Sequence, residues 1–211
     1  AIAGALAGVA LLIGLAGLTA SVITFILAGV ILQSLAGSGV ALALSLAPSP
    51  WATQEIFNWL MGSLADRSME EVKLALPFIA IGLVLLATLS RALDALSLGE
   101  ATAASLGVNL ARTQLVLAVG VGLVTGASVA VSGVIGFVGL VVPHIVRTLA
   151  GGTPGQLLLP SALGGAALLL AGDMLMRVLP LATELKLGIA MSALGAPFFL
   201  AMLIAMRRRT V

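Results

Sequence analysis

Seven apolar segments divide this chain, at roughly 2–17, 19–46, 72–89, 109–132, 139–150, 156–179 and 187–206. An α-helix rises about 1.5 Å per residue, so about 20 residues cross a 30 Å hydrocarbon core. Most of the segments meet that length. Segment 19–46 is long enough to tilt or kink, and Gly37-Ser38-Gly39 is the expected place. Segment 139–150 is too short to cross as a helix. A soluble domain of this length would need far more charge on its surface: only 9% of residues are charged, against about 25% on average. A membrane barrel would alternate apolar and polar residues over about ten positions, and no such run occurs. The expectation is an all-α polytopic transmembrane bundle forming a single domain over 1–211.

The remaining composition excludes several function classes. The chain has no cysteine and one histidine, which rules out thiolate metal sites and leaves no partner for a histidine-held metal or cofactor. Net charge is +2, but the basic residues sit at segment ends and in Arg207-Arg208-Arg209, with no basic face for nucleic acid. That tail reads as a cytoplasmic membrane-edge anchor. With the C-terminus inside and 133–150 crossing once, Arg91, Arg112, Arg147 and Arg207 to Arg209 lie inside. Arg67, Lys73, Arg177 and Lys186 lie outside, so the bias has the required sign. The outer connection 47–71 carries Trp51 and Trp59 and reads as an interfacial amphipathic helix. The opening "AIAGALAGVALLIGLAG" has no initiator Met and no basic leader, so the chain reads as an N-terminally truncated part of a longer protein. Gly4-x-x-x-Gly8 and Gly164-Gly165 read as helix-packing seams.

Between 89 and 109 lies the one sizeable inner connection, "SRALDALSLGEATAASLGVN". Ala101–Leu106 favours a short helix, with Glu100 at its positive end and Gly107 at C′. Asp94 can open an earlier turn, and Gly99 separates the two. A compact helical pair over 92–108 is an element that a soluble partner could grip, although a solvated connector would also fit.

"SGVIGFVGLVVPHIVRTLAGG" reads as a broken crossing. Seven extended residues from Gly133 to Gly139 cover about 23 Å, and a helix over 140–150 adds about 16 Å. Irregular backbone at that depth must be protein-covered or line a watery cavity, and Gly133, Gly136 and Gly139 permit it. Pro143 is expected in the first turn of the short helix, where a missing N–H costs little. His144 and Arg147 then share a face near the inner end. His144 fits either a neutral residue satisfied by a backbone carbonyl or a part in an inner gate, and Arg147 an anchor. Asp173 and Arg177, spaced i, i+4 near the outer end, fit mutual neutralisation, or an arginine facing an outside partner.

Four blocks then match one family in order. "LSLGEATAASLGVN" resembles the cytoplasmic coupling motif of the iron-siderophore, haem and cobalamin ABC importer permeases, the FecCD family. "GFVGLVVPHIVR" resembles its second signature, and "FNWLMGSL" and "LGAPFFLAML" fit other recurring blocks, from about residue 19 to 206. The resemblance implies a ten-helix permease fold, of which this chain would be the C-terminal part. It implies a non-catalytic subunit in the bacterial inner membrane, working with a second permease subunit, expected to be a homodimer partner, together with cytoplasmic ATPases and a substrate-binding protein. No cofactor is implied. Leu98, Gly99, Glu100, Ser105 and Gly107 would then meet the ATPase, and Arg177 and Glu184 the binding protein. Gly133, Gly136, Gly139, Pro143, His144 and Arg147 would form the broken helix or gate. Lys186 departs from the family pattern, where proline is usual. The chain has no GxxxxGK[ST] loop of its own. Gln33 is a weak candidate for an interior polar position. The alternative reading is an ion-coupled secondary transporter with Asp173 and His144 as relay groups.

Overall fold

The computed structural model describes residues 1–17, 21–178 and 185–207. Among them the secondary structure is entirely helical: α1 (Ile2–Ala16), α2 (Val22–Ser45), α3 (Pro50–Leu60), α4 (Met69–Thr88), α5 (Ser90–Leu96), α6 (Glu100–Ser105), α7 (Leu110–Ser132), α8 (Val138–Ala150), α9 (Pro154–Val178) and α10 (Leu187–Arg207). Each of the seven apolar segments holds one helix. Four of them, α2, α4, α7 and α9, are long and apolar enough to cross a membrane. The helix α2 runs unbroken through Gly37-Ser38-Gly39, where a kink was expected. Only Ala28 of its 24 residues is buried, and Ile23, Ile31 and Leu35 stand 63–70% exposed. So apolar an exterior suits lipid or further protein, not water.

The helices group into two compact units, Ala1–Asn58 with Ser68–Val131, and Trp59–Arg67 with Ser132–Val211. In the first, α7 is the most buried span. Its small residues Ala118, Gly120, Gly122, Gly126 and Ala127 are buried because neighbouring helices come close to them. A Cβ on Gly82 of α4 would sit 2.8 Å from the Gly120 carbonyl. A Cβ on Gly122 would sit 2.6 Å from Val9 of α1. Association in lipid depends on such close packing. Gly4 and Gly8, the expected seam, face open space on the described chain. The helix α4 starts at a capping box in which Ser68 takes the Glu70 N–H and Glu71 takes the Ser68 N–H at 2.9 Å.

In the second unit α8, α9 and α10 pack together. Gly164 admits Val142 and Val146 of α8, which makes it a packing seam as expected, and Gly172 admits Leu187 and Met191 of α10. Two expectations for α8 need correction. The irregular stretch is shorter, 133–137, and Gly139 is helical. Because α8 already begins at Val138, Pro143 is its sixth residue, not a first-turn one. Its ring therefore removes the bond that the Gly139 carbonyl would have received. Such prolines are tolerated in membrane helices where other groups satisfy the backbone, and Pro77, Pro160 and Pro197 are likewise interior.

Candidate functional site

At one end of the first unit, the chain leaves α4, turns through α5 and α6, and enters α7. Asp94 lies inside α5, which opens earlier, at Ser90. Gly99 then sets α6 off from α5 with φ 101° and ψ 153°, a region essentially confined to glycine. At the other end of α6, Gly107 donates to Ala104 at 3.0 Å and Val108 to Ala103 at 3.0 Å. With φ 85° at Gly107, this is a Schellman closure. Two glycines thus delimit a six-residue helix, as expected. Neither glycine has an atom within 4 Å of where a Cβ would stand, so torsion, not crowding, demands them.

The helix is anchored on one side and bare on the other. Ala103 is fully buried. Leu98 and Leu106 stand 64% and 63% exposed, beside exposed Thr102 and Ser105. The Ser105 hydroxyl donates to the Thr102 carbonyl at 2.8 Å. Glu100 is half-buried. Its Oε1 accepts the Val22 N–H at the start of α2, at 2.8 Å. Asn109 caps α7 by accepting the Arg112 N–H at 2.9 Å. An open cavity of about 690 Å³ lies here, lined by Thr88, Arg91, Asn109, Arg112 and Thr113 among others.

In the second unit three backbone segments meet without side chains between them. Gly62 donates to the Val134 carbonyl at 3.1 Å, Ser63 to the Ser132 carbonyl at 2.7 Å, and Gly188 to the Gly62 carbonyl at 2.8 Å. These bonds satisfy the Ser132, Val134 and Gly62 carbonyls, as buried backbone in an apolar setting requires. A Cβ on Gly62 would overlap the Val134 carbonyl and the Ile135 side chain, and one on Gly188 would stand 2.7 Å from that carbonyl. At Gly133, φ is 70° and a Cβ would be 2.8 Å from the Trp59 carbonyl.

Of the three glycines singled out there, Gly133 is therefore required by geometry. A Cβ on Gly136 would stand an ordinary 3.7 Å from the Ser192 hydroxyl, and Gly139 faces open space. The residue that does the turning is Phe137, in the left-handed region at φ 65°. Its ring lies so close over Gly195 that a Cβ there would overlap it. Gly62, Gly188 and Gly195 belong to this arrangement and were not singled out in the sequence, because glycines are spread through every span.

His144 is half-buried on α8, and its carbonyl accepts the Thr148 hydroxyl at 2.9 Å. Arg147 is exposed in the last turn, where a cation suits the helix end. On α9, Arg177 Nε donates to Asp173 Oδ2 at 2.7 Å, with the arginine 62% exposed and the aspartate 19%. Gln33 is exposed on the described chain, not interior. Glu184 lies outside the described residues. Lys186 supplies the carbonyl that accepts the Ile189 N–H at 3.0 Å as α10 begins.

A model of the FecCD transport family matches residues 1–205. The chain belongs to that family. This FecCD chain is 43% identical over 152 residues to the Fe(3+) dicitrate transport system permease protein FecD of Escherichia coli (strain K12), covering 71% of the chain and 47% of that protein. It is 41% identical over 180 residues to the vitamin B12 import system permease protein BtuC of Vibrio cholerae, covering 85% and 54% respectively. A solved structure of a metal-chelate type ABC transporter in an inward-facing conformation superposes with a TM-score of 0.88 at 30% identity. That match covers 97% of this chain and 65% of the other. The FecCD chain thus spans about half the length of the curated relatives it matches. It is a multi-pass membrane protein of a permease family.

Proposed function

We propose that this chain is part of a permease subunit of an ABC importer that moves an iron-siderophore, haem or cobalamin across the bacterial inner membrane. Its C-terminus is cytoplasmic, and it works beside a second, identical permease subunit within the lipid bilayer. Substrate arrives from a binding protein, and a separate cytoplasmic ATPase supplies the work, so the subunit is itself non-catalytic. Family membership supports the class, and its relatives' substrates bound the cargo.

One observation carries the reading: α6, pinned at Ala103 and delimited by Gly99 and Gly107, holds Leu98 and Leu106 outward at a charged, polar end of the unit. Exposed leucines on a stiff, short element are what a groove on a soluble partner would grip. Leu98, Gly99, Ser105 and Gly107 are accordingly assigned to docking the ATPase, with the glycines setting the shape. Glu100, bonded to the Val22 N–H, belongs to the same coupling element without being assigned a contact with the ATPase. Arg177, exposed in the last turn of α9, is assigned to the binding protein, and Glu184 to the same role. The broken segment with Gly133, Gly136, Gly139, Pro143, His144 and Arg147 is assigned to the inner gate region. The ion-relay alternative gains no support, since Asp173 is already ion-paired. Asp173 also stands nine residues past Gly164, which packs against the His144 turn, or about 14 Å along α9.

The test uses the full-length permease reconstituted with its ATPase and binding protein. Leu98→Arg should abolish co-purification of the ATPase and ATP-driven uptake. Uptake at full rate with no ATPase present would overturn the reading.

A further inference from the structure

We propose that Glu100 is a positioning residue that ties the docking helix α6 to the first turn of α2, so that displacement of α6 is delivered to a membrane span. The proposal rests on the reading of α6 as the ATPase-docking element. Its starting point is a hydrogen bond across 78 residues of sequence, from the Val22 N–H to Glu100 Oε1 at 2.8 Å.

The first N–H groups of any helix lack internal partners. At α2 the Ser21 hydroxyl serves the Thr24 N–H at 3.3 Å. Val22 lies one residue into the helix, beyond the reach of that cap, and is served from α6 instead. The acceptor is a carboxylate meeting the positive end of a helix of 24 residues, a charge-assisted contact and one favoured by the helix dipole.

Its placement in α6 matters as much as its chemistry. Glu100 is the first residue of α6, directly after Gly99, whose φ of 101° marks the turn from α5. A push on Leu106 that displaces α6 therefore either carries the α2 terminus with it or breaks the bond. Ala103, fully buried one turn further on, opposes simple rotation of α6 about its own axis. The span so addressed is α2, which buries only Ala28 on the described chain, where α7 buries six residues.

The experiment uses the full-length permease with its ATPase and binding protein in proteoliposomes, comparing wild type, Glu100→Ala and Glu100→Gln. Glutamine keeps an acceptor oxygen at the same reach, whereas alanine removes it. Spin labels at Ile23→Cys and Ala101→Cys report the α2–α6 separation. Both positions are exposed, this chain contributes no native cysteine, and any in the rest of the full-length permease are replaced by serine. We expect Glu100→Ala to keep co-purifying with the ATPase, to lose at least fivefold in substrate moved per ATP, and to broaden the label distances. Glu100→Gln should restore narrow distances and most of the uptake. Loss of the ATPase from Glu100→Ala would overturn the proposal by making Glu100 a partner contact, as would unchanged distances or unchanged coupling. Nucleotide-independent uptake by the wild type would overturn the force-transmitting role together with the importer reading. It is distinguishable because the distance data would still report whether the tie exists.

Discussion

Gly62 is joined to Val134 by a backbone hydrogen bond of 3.1 Å, with no room between them for a methyl group. Gly62→Ala should therefore force the crossing apart and destabilise the protein by roughly 1–3 kcal/mol, the usual cost of overpacking. Thermal unfolding in detergent would read this as a lower midpoint. Gly4→Ala, at a position facing open space, is the control and should leave the midpoint unchanged or slightly raised.

The two glycines around α6 should respond differently to asparagine. Gly107 closes a Schellman motif, a place where asparagine is tolerated, so Gly107→Asn should retain most ATP-driven uptake. Gly99 sits at φ 101° and ψ 153°, outside the left-handed helical region, where a side chain costs about 1–3 kcal/mol. Gly99→Asn should then impair uptake severely. Equal effects at both positions would contradict the torsional argument.

Arg177 and Asp173 allow stability and binding to be separated. Exposed i, i+4 pairs contribute only about 0.3–0.5 kcal/mol, so Arg177→Ala should barely move the unfolding midpoint. If Arg177 serves the binding protein, the same change should weaken capture of that protein at least tenfold. Asp173→Asn should weaken it much less. Titrating labelled binding protein onto the reconstituted permease distinguishes the two.

The capping box of α4 offers a local test of stability. Ser68→Ala removes the acceptor for the Glu70 N–H and should cost about 0.5–2 kcal/mol, the typical value for a lost cap. Hydrogen exchange confined to the first turn of α4 would show the fraying directly. Uptake measured well below the unfolding midpoint should be nearly unchanged.

What could be read in the sequence divides along physical lines. The seven apolar helices were legible because burial in lipid demands an apolar run of fixed length, and that demand leaves its mark residue by residue. The α6 boundaries were legible for a similar reason: Gly99 and Gly107 are required by their own torsions, which are local. Contacts between distant residues left no such mark. Glu100 was legible only as the acid at the positive end of α6, because nothing near it in sequence predicts the Val22 N–H as its partner. Gly62 and Gly188 were hidden among 25 glycines, since what singles them out is clearance from a carbonyl in another segment. The start of α8 was misplaced because glycines at 136 and 139 resemble a continuing break. The turn is instead made by Phe137, a residue type that rarely adopts positive φ.

The brevity of α6 has a consequence for anyone hoping to block this protein. Six residues form too few internal bonds to offset the cost of nucleating a helix, so a free linear peptide copying residues 98–108 would be a random coil in water. It would compete poorly for the same groove, because the parent supplies the shape through buried Ala103 and the two flanking glycines. A useful mimic would have to be stapled or cyclised into that form before it met its target.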